Sequence, residues 1–207
     1  RLPGTGLRSA VDAARSHVER LFADAAAAHA ASAAALPDAI VAAAAAIRRA
    51  LDRGGRVLAC GNGGSACDAL HFTAELVGRF ERERAGLAAV ALSADTAILT
   101  AVGNDYGFDT VYARQVQALG RAGDVLVVLT TSGRSGNVVA AIEAAHGAGL
   151  GVIALTGRDG GTVAARLGSG DVEVRVPHTV TARIQEVHIL ALHCICALLD
   201  APGGAAP

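Results

Sequence analysis

The 207-residue chain contains no methionine and no tryptophan, and only four Phe and two Tyr. Large aromatic side chains are therefore excluded as the main filling of its core. With 52% hydrophobic residues, that core has to be built from Ala, Val, Leu and Ile, which suits helices packed on a parallel sheet. Charge of either sign is also in short supply. The formal net charge is −1 and the isoelectric point about 6.7, so no basic surface advertises a nucleic-acid partner. No uninterrupted apolar run approaches the roughly 18 residues that a membrane span requires. The Ala-rich stretch from Ala25 to Ala35 is broken by His29 and Ser32 and reads as a helix former.

The four cysteines, Cys60, Cys67, Cys194 and Cys196, show neither zinc-finger nor C-x-x-C spacing. They are expected as reduced core thiols of a cytoplasmic protein. With no Met anywhere, the initiating residue is not among these 207, and the expectation of no secretory leader holds only from Arg1 onward.

What the chain does have is periodicity, at a length that suits one domain. Leu7, Val11, Val18 and Phe22 fall at helical spacing, as do Ile40, Ala44, Ile47 and Leu51, with Pro37 opening the second helix. After Gly54-Gly55 the pattern changes. Short aliphatic runs at 56–60, 88–92, 124–129, 151–156 and 172–176 alternate with helical segments near 65–80, 95–102, 108–119, 135–148 and 161–167. An apolar helix follows from about Thr181 to Leu199, and the tail 201–207 is expected to be disordered. Strand–helix alternation over some 150 residues, joined by Gly-rich turns, predicts a doubly wound parallel α/β sheet. In such sheets ligands bind at the carboxyl ends of the strands.

Two of those strand-end turns suit an anion. The first reads Cys60-Gly61-Asn62-Gly63-Gly64-Ser65, and the second Thr130-Thr131-Ser132-Gly133-Arg134-Ser135-Gly136-Asn137. Glycines let a backbone approach a ligand, and amides and hydroxyls at a helix N-terminus suit phosphate. The plainer reading is helix capping, since Ser and Thr favour that position anyway. Neither turn is a Walker A loop, and neither is a G-x-G-x-x-G fingerprint with an acidic residue on the next strand. A small phosphorylated metabolite is therefore preferred to a nucleotide.

Polar residues also interrupt two apolar helices. His71 and Glu75 lie four apart and share a face. Gln185 and His193, eight apart, differ by roughly 80° around their helix and point to a similar side. A Glu and a His beside a phosphate turn are what an aldose–ketose isomerisation needs, one to carry a proton between C1 and C2 and one to serve the sugar oxygens. The competing reading makes His71–Glu75 a surface i,i+4 pair. His188 is read as a satisfied core or interface histidine.

These motifs resemble the phosphoheptose isomerase branch of the SIS (sugar isomerase) family over nearly the whole chain. The likeness is carried by C-G-N-G-G-S at 60–65, H-F-T-A-E-L at 71–76, G-N-D-Y-G at 103–107, T-T-S-G-R-S at 130–135, L-T-G-R-D-G-G at 155–161 and R-I-Q-E-V-H at 183–188, with His193 beyond. The resemblance implies a flavodoxin-like sheet of five strands with N-terminal helices, in a homotetramer with sites at subunit interfaces. It implies isomerisation of sedoheptulose 7-phosphate to D-glycero-D-manno-heptose 7-phosphate, toward activated heptose for lipopolysaccharide. It places Asn62, Gly63, Gly64, Asn104 and Asp105 at the sugar and Thr130, Thr131, Ser132 and Ser135 at the phosphate. Glu75 and His193 become the acid/base pair, with Gln185 beside them. Zinc, which some members bind, would fall to His71, Glu75, Gln185 and His193. The family pattern favours Ser at 130 and Asn at 134, where this chain has Thr130 and Arg134; Arg134 would either tighten phosphate binding or face solvent.

A second SIS branch binds the bacterial replication initiator without catalysis, and 78–92 and 170–200 resemble it too. That branch lacks the Glu and the His that this chain carries at 75 and 193, so the enzyme is the expected reading.

Overall fold

A computed structural model describes residues 4–201, with side chains from residue 10 onward. Leu7's side chain and the tail 202–207 therefore lie outside the described residues. Helix α1 spans Gly4–Ala35 and α2 spans Pro37–Asp52, the two meeting at a 68° bend. Pro37 stands in the first turn of α2, where its missing N–H costs nothing.

Five strands follow: β1 Val57–Gly61, β2 Ala89–Ala91, β3 Val125–Leu129, β4 Gly151–Gly157 and β5 Val172–Val176. All pair in parallel, in the order β2-β1-β3-β4-β5. The intervening helices are α3 Gly64–Val77, α4 Thr96–Tyr106, α5 Val111–Leu119, α6 Gly136–Gly147, the single turn α7 Gly161–Ala164 and α8 Thr181–Asp200. A 3-10 turn, Phe108–Thr110, leads into α5.

Successive strand residues point to opposite faces, and the chain fills both. Val57, Ala59, Val127, Leu129, Ile153 and Leu155 pack beneath α2, α3 and α8. Leu58, Cys60, Leu126, Val128, Val152 and Ala154 pack against α5 and α6 on the other side. The fold is the three-layer, flavodoxin-like arrangement expected. Its switch point, where helices after neighbouring strands leave to opposite faces, falls between β1 and β3.

The structure departs from the sequence-based expectations at four points. The helix expected to run to Phe80 ends at Val77, and the one expected over 161–167 is a single turn. The helix expected to stop at Val102 continues through Gly103 to Tyr106, because the positive φ that ends it belongs to Gly107, at +88°. Finally, Cys67 is exposed rather than a core thiol; all four cysteines are unpaired. By length and composition alone α8 would pass as a membrane span, but half of that stretch is buried in this fold.

Candidate active site

β1 and β3 are neighbours in register, Gly61 opposite Leu129, so their two turns emerge side by side at the carboxyl edge. A reciprocal amide pair spans them. Asn62 Nδ2 donates to Asn137 Oδ1 and Asn137 Nδ2 donates back to Asn62 Oδ1, both at 2.8 Å. The buried Tyr112 hydroxyl donates to the Gly61 carbonyl and steadies the first turn from below. Asn137 was singled out in the sequence only as part of a turn; its burial at the switch point is a tertiary fact.

In the second turn Thr130 is buried, and its Oγ1 accepts from the Gly133 amide at 3.2 Å and lies 3.4 Å from the Ser135 hydroxyl. Ser132 Oγ accepts from the Arg134 amide. Ser135 occupies the N-cap position of α6, yet its hydroxyl makes no capping bond. The capping explanation for that serine is thereby removed. Gly133, at φ +66°, is forced: a Cβ there would stand 2.0 Å from the Gly160 carbonyl oxygen. Arg134 forks onto Asp159 at 3.1 and 2.6 Å, fastening this turn to the next one. Arg134 holds the Asp159 carboxyl below its usual range.

Glycines shape the first turn as well. Gly64 opens α3 directly against Gln185, whose amide nitrogen would lie 2.3 Å from any Cβ added there. Gln185 in turn donates to Asp68 at 3.2 Å. Burial pushes the Asp68 carboxyl up, against the opposing hydrogen bond from Gln185 and the nearby His71. Asp68, one turn before His71, was missed in the sequence; its i−3 and i−7 spacing to His71 and Glu75 was the available signal.

Further along the same two helices, His71 Nε2 lies 3.4 Å from Glu75 Oε1 and 3.0 Å from His193 Nε2. The His71 and His193 rings meet edge-on at 5.2 Å, and Phe80 stacks on His193 at 5.5 Å. His71, Glu75 and His193 are thus brought together as expected, with side-chain exposures of 45% and 23% for the first two. His188 is sealed in the core, its Nε2 2.9 Å from the Thr156 carbonyl oxygen. Asn104 and Asp105 are exposed at the end of α4 and bond to each other; among the described residues neither makes a hydrogen bond to the trio.

The donor types present suit zinc. Two ligands at 2.0–2.1 Å from one tetrahedral ion stand about 3.3 Å apart, close to the separations around His71 Nε2. Gln185, however, is turned to Asp68, and among the described residues no three His, Cys, Asp or Glu side chains are gathered as a metal-holding group.

The fold and the strand-end site define an SIS-type α/β domain, and residues 21–157 match the sequence model of the SIS domain. A phosphoheptose isomerase from Methylibium petroleiphilum is 67% identical over 147 residues, 71% of this chain and 74% of that protein. Solved phosphoheptose isomerases from Neisseria gonorrhoeae and Francisella tularensis superpose with TM-scores of 0.86 and 0.88. They are 52% and 46% identical, and each comparison covers 90% of this chain and 98% of theirs. The chain belongs to the SIS domain family, and within it to the phosphoheptose isomerases. The initiator-binding alternative is not favoured.

Proposed function

We propose that the chain converts sedoheptulose 7-phosphate to D-glycero-D-manno-heptose 7-phosphate through a 1,2-enediol, with Glu75 and His193 as the acid/base pair. The observation that carries this is the meeting of Glu75, His71 and His193 across two helices of a phosphoheptose isomerase chain. The base takes the proton from C1, a C1–C2 double bond forms, and O2 gains a proton. Return of the proton to C2 and loss of the O1 proton leave the aldehyde at C1. Glu75 is assigned the transfer between carbons and His193 the service of the oxygens. The amides and hydroxyls of 130–135, with the uncapped Ser135, would hold the phosphate, and Asn62, Gly63 and Gly64 would border the sugar.

Zinc belongs to this reading. His71, Glu75 and His193, which are not gathered as a metal-holding group here, would have to close round the ion, and Gln185 would join once its amide leaves Asp68. When bound, the ion supplies a Lewis acid for the sugar oxygens. A cytoplasmic homotetramer, with no nucleic-acid or membrane partner, completes the proposal. It is supported by the near-zero net charge and by the apolar surface left on α1 and α8.

The test is a coupled assay of heptose phosphate formation with wild type and Glu75→Gln. The substitution keeps size and hydrogen bonding but removes the base, so turnover should fall roughly 10²–10⁴-fold in a protein that remains folded. Near wild-type turnover in that variant would sink the mechanism.

A further inference from the structure

Helices α3 and α8 carry the trio, but the contacts among His71, Glu75 and His193 do not by themselves fix how those helices lie. Segment 78–88, between α3 and β2, has no regular structure, yet it is tied down at both helix ends. Arg84 Nη2 donates to the backbone carbonyl of Glu75 at 2.8 Å and Nη1 to that of Leu76 at 2.9 Å. These are last-turn carbonyls of α3, where a cation is favourable. Arg84 Nε donates to Asp200 Oδ1 at 2.6 Å. The other oxygen of Asp200 accepts from the backbone amides of Glu81 and Arg82, at 3.1 and 3.2 Å.

Asp200 is the last residue of α8, two turns beyond His193. A carboxylate there opposes the helix dipole, so α8 gains nothing from it locally. Its partners account for it. Burial raises its pKa, but the bonds from Arg84 and the two amides outweigh burial and hold the carboxyl below its ordinary range. The Arg84 and Asp200 side chains are only 16% and 3% exposed, which separates them from solvent-screened surface pairs. Between the anchored ends of the segment, Phe80 lies on the face of His193 with the rings 27° from parallel.

We propose that Arg84 and Asp200 are positioning residues: their ion pair clamps the end of α3 to the end of α8 and presses Phe80 onto His193. It thereby sets the reach between Glu75 and the imidazole. The inference rests on the acid/base reading above for its effect on rate, but not for its effect on the ring.

Three variants of the full chain test it. Arg84→Lys keeps the charge and loses the fork. Asp200→Asn keeps the shape and loses the charge. Phe80→Leu removes the stack alone. Each should remain folded, with kcat lowered about 10- to 100-fold and KM within about twofold, since small misplacements of catalytic groups act on the transition state. The imidazole resonances of His193, assigned by comparison with His193→Gln, should move in Arg84→Lys and Asp200→Asn in the direction that Phe80→Leu moves them. A purely stabilising ion pair would lower the melting temperature and leave both kcat and the resonances where they were. Either unchanged kcat or unmoved His193 resonances in folded Arg84→Lys and Asp200→Asn overturns the clamp. If Glu75→Gln itself kept wild-type turnover, the acid/base reading would fall, and the resonances alone would decide the clamp.

Discussion

His188 and His193 lie five residues apart on α8, and their surroundings give them different work. The His188 ring is fully buried, and burial lowers its pKa to about 4 despite the bond to the Thr156 carbonyl. Between pH 6.5 and pH 4 the unfolded chain takes up a proton on this side chain and the folded chain does not. The unfolded state then binds more protons, so stability is full above pH 6.5 and is lost as pH falls toward 4. The loss is on the order of 3 kcal/mol. His188→Gln retains a donor for Thr156 without titrating. Denaturation at pH 7 and pH 5 should show a smaller pH dependence in the variant than in wild type. An identical difference in both would mean that another group carries the acid sensitivity. The sequence made His188 legible as a core residue because apolar neighbours surround it on α8. Glu75 and His193 were legible as polar groups on apolar helices. Asp68 and Arg84 were not, because each looks like an ordinary charged residue until the fold shows what it touches.

At the scale of elements, alternation and Gly-rich turns located every strand to within a residue or two, because buried parallel strands are short aliphatic runs that little else imitates. Helix ends were less legible. The helix expected to end at Val102 runs on through Gly103, while α3 is capped at Gly78, before Phe80. That difference matters, since it releases Phe80 from α3 to reach His193. The turn at 130–137 was legible as a candidate for an anion, but its fastening was not: Arg134, read as either tightening phosphate binding or facing solvent, forks onto Asp159. On the proposed reading the hydroxyls of Ser132 and Ser135 stand with those of Thr130 and Thr131 as the side-chain donors offered to a phosphate, and their contacts would persist in ground and transition states alike. Ser132→Ala and Ser135→Ala should each raise KM more than they lower kcat. A lost hydrogen bond to a charged group amounts to about 1.5–3 kcal/mol, or roughly a tenfold to hundredfold rise in KM. An unchanged KM in both variants would remove the turn from phosphate binding.

For the molecule as a whole, the feature a single chain leaves unexplained is its apolar exterior. The stripe Val11, Val18 and Phe22, expected to bury one face of α1, is open to solvent, with Phe22 74% exposed. Nearby, a groove of about 450 Å³ is lined by Leu36, Ile40, Val41, Leu190, Cys194 and Leu198. It lies between the N-terminal helices and α8, away from the strand-end turns. A helix whose predicted apolar stripe meets no core of its own chain is the surface expected of a subunit interface. This covers the part of the helical periodicity that the monomer does not use. Light scattering should report about four chains for the wild-type protein at assay concentration. Val18→Glu together with Phe22→Glu places two charges in that stripe without touching any group assigned to the chemistry. The double variant should shift to smaller species, and its turnover should fall with assembly if sites draw on neighbouring subunits. A wild-type protein that is monomeric and fully active would refute the assembly outright. A double variant that stays assembled would show that α1 is not the face through which the subunits meet.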